Sequence, residues 1–197
     1  MHKPTAIVLA AGLSRRMGAE NKLLLPVDGQ PMIRRTVRAY TECCDRVIVV
    51  TGFEAPAIRR ALQDLTVHIV HNPDFANGQA TSVATGLRAA LGAADVLVGL
   101  GDQPLLTRHH LDALIKAHAG ATKISVPHNG QSRGNPIAIP GPLAKRMLED
   151  RQNPGCGKFT RERRDLVNFI PLKDPAYFTD VDTPEDYATV APKEDAQ

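Results

Sequence analysis

The chain of 197 residues sets 24 Lys and Arg against 21 Asp and Glu, a net charge of +3, and is 43% hydrophobic. That length suits one domain burying roughly 70% of its unfolded surface. Its 15 Gly and 15 Pro are close to average usage, which excludes collagen-like and low-complexity chains.

Three tyrosines, five phenylalanines and no tryptophan leave no stacking platform for single-stranded nucleic acid, and +3 is too small a charge to argue for nucleic acid by itself. Cys43 and Cys44 are adjacent and Cys156 stands alone, so neither a disulfide framework nor a zinc knuckle is written here. His68 and His71 are three apart in a strand-like run, which sends their side chains to opposite faces. The apolar stretch Ala6–Leu13 runs directly into Arg15-Arg16. A bilayer span needs about 20 apolar residues, so the expectation is a cytoplasmic protein that engages neither membrane nor nucleic acid.

In chain order, β-branched runs alternate with helical patterns. Thr5–Ala10 predicts a strand, Pro31–Cys43 a helix, Arg46–Thr51 a strand and Ala55–Asp64 a helix. Val67–Val70 follows as a strand, Gln79–Leu91 as a helix closed by Gly92, and Asp95–Leu100 as a strand. Thr107–Ala119 reads as a helix and Lys123–Pro127 as a strand. The final third predicts strands over Asn135–Pro140 and Asp165–Ile170 and helices over Pro142–Asp150 and Glu185–Val190, with Pro192–Gln197 a frayed tail. Near-continuously apolar strands joined by crossover helices imply a Rossmann-like, mostly parallel sheet in a three-layer α/β sandwich, one domain over residues 1–197.

Three segments carry chemistry. The first strand leaves through a long loop, Ala11–Glu20, with Gly12, Ser14, Arg15, Arg16 and Gly18, then Lys22. Glycines there let backbone N–H groups approach phosphate oxygens, and Arg and Lys neutralise them. The spacing is neither that of a Walker loop nor that of a dinucleotide fingerprint, and a merely solvated loop is the plainer alternative. Gly101-Asp102-Gln103-Pro104 ends a buried strand, where an acid suits Mg²⁺ beside phosphates, although Gly-Asp-x-Pro is also ordinary turn chemistry. Asp180 and Asp182 share a face of an extended segment, and Asp182 or Thr183 also suits the N-cap of the helix behind Pro184.

Leu9-Ala10-Ala11-Gly12-Leu13-Ser14-Arg15-Arg16-Met17-Gly18 followed by Lys22 resembles the signature loop of nucleotidyltransferases that act on molybdenum cofactor. Gly101–Pro104, Arg133-Gly134-Asn135-Pro136 and Asp180–Asp186 follow in the same order, so the resemblance covers nearly the whole chain. It is strongest to the cytidylyltransferase branch of the MobA-like family, and it implies the nucleotide-diphospho-sugar transferase fold. By that resemblance, Leu9, Ala10, Ala11 and Gly12 line base and ribose. Ser14, Arg16 and Lys22 hold the triphosphate, Thr81 and Ser82 belong to a base-contacting segment, and Gly101 and Asp102 complete the nucleotide site. Asp102 and Asp182 become Mg²⁺ ligands, with Asp180 the other claimant, and Asn135 lies in the acceptor half.

The reaction implied is Mg²⁺-dependent transfer of CMP from CTP to the terminal phosphate of molybdopterin, releasing pyrophosphate, with Arg16, Lys22 and Asp102 as the catalytic groups. Guanylyltransferase relatives tend to carry Ala-Gly-Gly where this chain has Ala10-Ala11-Gly12, which favours the smaller base. A GTP-dependent molybdenum cofactor guanylyltransferase and a sugar- or polyol-phosphate cytidylyltransferase are the enzyme alternatives. A nucleotide-binding or delivery module for a molybdenum hydroxylase is the non-enzyme alternative, and such a hydroxylase or its chaperone is the partner implied. Gly155-Cys156-Gly157-Lys158-Phe159 departs from the acidic-glycine-arginine pattern associated with the cytidylyltransferase branch. Lys158 within it and Arg161, Arg163 and Arg164 beyond it read as a solvated face or as contacts to an anionic acceptor.

Overall fold

The computed structural model describes residues 3–17, 20–152 and 154–191; Gly18 of the first loop and the expected frayed tail at 192–197 lie outside them. Among the described residues the chain runs β1 (Thr5–Ala10), β2 (Pro26–Val27), β3 (Gln30–Pro31), α1 (Met32–Thr41), β4 (Arg46–Thr51), α2 (Ala55–Ala61), β5 (His68–His71) and α3 (Gln79–Ala89). It continues through β6 (Asp95–Leu100), α4 (Arg108–His118), β7 (Ile124–Pro127), β8 (Ile137–Pro140), α5 (Gly141–Glu149), α6 (Gly155–Glu162), β9 (Val167–Ile170) and α7 (Pro184–Val190).

Seven strands form one sheet in the order β5-β4-β1-β6-β8-β7-β9. β1 lies parallel between β4 and β6, β5 extends the parallel set, and β9 is parallel to β7. β8 runs antiparallel to both neighbours, the exception within a mostly parallel sheet. Alternation along β1 divides the core. Ala6, Val8 and Ala10 pack with Ile33, Val37 and Tyr40 of α1, Ile58 of α2 and Leu111 and Leu114 of α4. Ile7 and Leu9 face the other way, onto Val83 and Leu87 of α3, Met147 of α5 and Phe159 of α6. A strand buried on both faces must be apolar at successive positions, which is why these runs are continuous rather than alternating. The architecture is the expected three-layer α/β sandwich.

Three features depart from the sequence reading. The basic stretch behind Asn153 folds as α6 rather than as a wholly solvated face, with Phe159 and Thr160 buried and Lys158 and Arg161 outward. Gly155 and Gly157 are poor helix formers and conceal it. Asp28-Gly29, both with positive φ, turns the small hairpin β2–β3. That dipeptide is a hairpin signal, but strands of two residues are too short to show a period. Pro31 stands just before α1, as its cap, instead of being its first residue.

His118, at the end of α4, is buried, with Nδ1 2.8 Å from Ser125 Oγ and Nε2 3.4 Å from Asp95 Oδ1. Burial pushes its pKa below the ordinary 6.5, and the pull of Asp95 in the other direction does not prevail. The unfolded chain therefore binds this proton more readily, so folded-state stability declines as pH falls through 6.5 toward the depressed value. His118→Gln is expected to lose less stability than the wild type between pH 7 and pH 5 in urea titrations. Parallel losses in the two proteins would remove His118 as the cause.

Candidate active site

Parallel pairing brings several strand ends to one edge. Leu9 is opposite Leu100 and Ala10 is opposite Thr51, so the loop after β1, the turn after β6 and the exit of β4 converge. Because β8 is antiparallel, its amino end meets the same edge, and Asn135 with it. A cavity of about 500 Å³ opens there, at the carboxyl ends of the strands where open α/β sheets hold ligands.

Lys22 lines it. Its chain position is fixed locally: Asn21 Oδ1 accepts a hydrogen bond from the Leu23 amide at 3.1 Å and caps a short turn, while Ser14 Oγ accepts from the Lys22 amide at 3.2 Å. The ammonium donates to Asp102 Oδ2 at 2.5 Å and to Asp182 Oδ1 at 2.8 Å, and the Arg16 guanidinium lies 2.8 Å from Asp182 Oδ2. Gly101 makes this possible, because a Cβ there would meet Ile33 Cδ1 at 2.7 Å and the Leu9 carbonyl at 3.0 Å. The Val181 amide donates to the Asp102 carbonyl at 3.0 Å, tying the distant 180–182 segment to the end of β6. Thr183, not Asp182, caps α7 through a reciprocal pair with Asp186. Capping thus leaves the Asp182 carboxylate to the cavity.

The charges are unequal in environment. Burial disfavours the Lys22 ammonium, but Asp102 and Asp182 outweigh it and hold its pKa above the ordinary value. Burial raises the Asp102 carboxyl more than Lys22 lowers it. Asp180 is raised by burial and by the charges of Asp102 and Asp182. For Asp182 burial is overcome by Lys22 and Arg16, so its pKa falls. Asp102 Oδ1 is buried and accepts no hydrogen bond from the described residues.

Of the residues singled out from sequence, Leu9, Ala11, Gly12, Ser14, Arg16, Lys22, Ser82, Asp102, Asp180 and Asp182 line this cavity. Ala10 points into the opposite core, and Gly101 acts through its backbone. Thr81 is absent from the lining: its hydroxyl accepts from Asn72 Nδ2 at 2.9 Å and donates to the Asp74 and Gly78 carbonyls, holding the entry to α3. Ser82 Oγ also accepts from Asn72, at 3.0 Å. Phe75 and Ala76, in the short turn before α3, line the cavity and were not singled out. The legible signal was Gly78, whose φ of 106° marks a turn before a helix. Asn135 lines a second cavity of about 220 Å³, with Arg133, Cys156, Thr160 and Arg161. Among the described residues no three His, Cys, Asp or Glu side chains form a ready-made metal cage.

Residues 6–167 match the family model of the MobA-like NTP transferase domain. The chain belongs to that family. It is 28% identical over 188 residues to the molybdenum cofactor cytidylyltransferase of Escherichia coli, covering 93% of each. It is 29% identical over 189 residues to the nicotine blue oxidoreductase of Paenarthrobacter nicotinovorans, covering 92% of this chain and 93% of that one. Among solved structures, a nucleotidyl transferase from Methanothermobacter thermautotroptrophicus superposes with a TM-score of 0.82 at 27% identity over 96% of both chains. The chain is thus a nucleotidyltransferase by family, on the nucleotide-diphospho-sugar transferase fold. No helix among the described residues is long and apolar enough to cross a membrane.

Proposed function

We propose that the protein transfers CMP from CTP to the terminal phosphate of a molybdopterin-type cofactor, releasing pyrophosphate. The observation that carries this reading is Lys22 held between Asp102 and Asp182 at the carboxyl edge of the sheet. A phosphate monoester has a second pKa of about 6, so near pH 7 it is a nucleophile without a general base. Among the described residues no histidine lines the cavity, in keeping with that chemistry. What the reaction requires is relief of repulsion between two anions and alignment at the α-phosphorus. Lys22 and Arg16 are the cations placed to neutralise the triphosphate, and the loop amides around Gly12 to Ser14 can approach its oxygens.

The carboxylates suit Mg²⁺, which takes one or two of them together with substrate oxygens. Asp102 would hold it through Oδ1, the buried oxygen that accepts nothing from the described residues, and Asp182 would be the second ligand. Bound there, Mg²⁺ would supply Lewis-acid neutralisation of the phosphate oxygens. Ala11 and Phe75 both line the cavity, and the methyl of Ala11, where guanylyltransferase relatives tend to carry glycine, favours cytosine over guanine.

Pyrophosphate release, measured across the four nucleoside triphosphates with and without molybdopterin, tests the reading. CTP is expected to exceed GTP by about tenfold, the scale of discrimination by one small group, with release dependent on molybdopterin. Faster turnover with GTP would overturn the base assignment and leave the family standing. Absence of release with every triphosphate would favour a delivery module for a molybdenum hydroxylase or its chaperone, or redox chemistry of the kind named in the oxidoreductase relative.

A further inference from the structure

The stretch 178–183, which carries Asp180 and Asp182, belongs to no helix or strand. Its place beside the first cavity is therefore set by contacts made one at a time. The Val181 amide donates to the Asp102 carbonyl at 3.0 Å, and the Asp182 amide donates to Asp186 Oδ2 at 3.0 Å. Just ahead of it, the Tyr177 carbonyl accepts from two donors on different elements, the Asn135 amide at 2.8 Å and Gln103 Nε2 at 3.3 Å. Gly134 permits that approach, because a Cβ there would meet the Tyr177 carbonyl oxygen at 2.8 Å. The Tyr177 hydroxyl completes the anchorage by donating to the His110 carbonyl of α4 at 2.6 Å.

Gln103 is the side chain in this anchorage that stability does not explain. It is 1% exposed and directly follows Asp102. Its amide makes one hydrogen bond, a long one at 3.3 Å, and Oε1 is buried and accepts nothing from the described residues. Turning the amide over would set its oxygen against the Tyr177 carbonyl, two acceptors facing each other, so the orphaned oxygen follows from the bond that is made. A buried acceptor without a donor costs more than a long neutral hydrogen bond returns. The Tyr177 carbonyl would still hold the Asn135 amide if residue 103 were apolar. A group that lowers stability where it stands is expected to serve the site beside it.

We propose that Gln103 is a positioning residue: through the Tyr177 carbonyl it holds the 178–183 stretch to the turn that ends β6, and so keeps Asp182 facing Asp102 for a divalent cation. The inference rests on the proposed function for the cation's use in transfer, but the metal binding it requires can be measured apart from turnover. Asp102 and Gln103 are consecutive, so one turn carries a carboxylate and the arm that places its counterpart. The Val181 amide pins the stretch to that turn at one point, and Gln103 supplies a second, ahead of both aspartates. Two attachments fix an orientation that one leaves free, and the partners that orient a metal ligand govern affinity nearly as the ligand does.

The probe is Mn²⁺ alone, titrated onto the whole chain and followed by its EPR signal. Gln103→Met keeps the length of the side chain and removes the amide, whereas Gln103→Asn keeps the amide and shortens its reach. Both are expected to weaken Mn²⁺ about tenfold, the scale of losing a partner that orients a metal ligand. At saturating metal, kcat for pyrophosphate release should fall while the CTP KM stays within about twofold of wild type, since the loop after β1 is unaltered. Gln103→Met should nevertheless melt at or above the wild-type temperature, because it removes the unpaired buried oxygen. Mn²⁺ affinity within about twofold of wild type in both variants overturns the proposal, and so does a wild type that binds no Mn²⁺ saturably. Should Gln103→Met fail to fold, Gln103→Asn decides by the same criterion. Weakened Mn²⁺ binding without pyrophosphate release from any triphosphate would sink the transfer reading and leave the positioning role standing. Wild-type release with unaltered Mn²⁺ affinity in both variants would do the reverse.

Discussion

Asp102→Asn is expected to lower nucleotidyl transfer by at least ~10²-fold, the scale of losing one strong electrostatic group in an active site, while the melting temperature stays at or above that of the wild type. The substitution is isosteric, and an amide oxygen can still accept from the Lys22 ammonium. Burial already disfavours the charged form of this carboxyl, so neutralising it relieves desolvation rather than breaking the fold. The measurement is pyrophosphate release over a Mg²⁺ titration alongside a thermal melt. Near-normal turnover with ordinary Mg²⁺ dependence would reduce Gly101–Pro104 to a turn. Asp182→Asn is the companion: because Thr183 caps α7, any loss it brings comes from the cavity and not from the helix start.

Lys22→Met is expected to abolish measurable transfer and also to lower stability at neutral pH. It leaves Asp102, Asp180 and Asp182 facing one another with Arg16 as the nearest cation. Removing one partner of a buried pair costs about 3–5 kcal/mol, and the lower end applies here because the cluster opens onto a cavity. The sign with pH follows from the carboxyls. Without Lys22 the folded-state pKa values of Asp102 and Asp180 rise further above the unfolded ones and Asp182 loses part of the depression that Lys22 gives it, so the stability lost with Lys22 is smallest at low pH and greatest above these pKa values. The deficit of the variant against wild type should therefore shrink on acidification from pH 7 to pH 4. A deficit that grew on acidification would mean that Lys22 contributes through the packing of its stem.

The parallel core was legible because its physics is local. β1, β4 and β6 span the predicted strands Thr5–Ala10, Arg46–Thr51 and Asp95–Leu100, since burial on both faces makes the interiors of these strands continuously apolar. The order of the loop after β1, Gly101–Pro104 and the acidic segment was legible too, and each stands at the same edge of the sheet. What the sequence hid was pairing at a distance. Nothing local states that Lys22 reaches residue 182, because the contact depends on Gly101 letting β6 end close against Leu9 and on Val181 docking to the Asp102 carbonyl. The direction of β8 was equally silent, since a four-residue buried strand has the same composition whichever way it runs. α6 was missed because two glycines in its first turn outweigh an apolar stripe carried by Phe159, Thr160 and Cys156.

The tether between Val181 and the end of β6 also has a temporal consequence. The family match closes at residue 167 and the sheet at Ile170, yet one of the two carboxylates on Lys22 arrives a dozen residues later. A growing chain can therefore assemble every sheet strand while its central ammonium still has a single anionic neighbour. Closing that last contact joins positions 160 apart in sequence, a long loop whose entropy must be overcome late in folding. If the cavity holds the triphosphate as proposed, competence to bind it becomes a report on whether synthesis has reached the C-terminal segment, so a nascent chain cut short in that region would look folded by its core and be blind to its substrate.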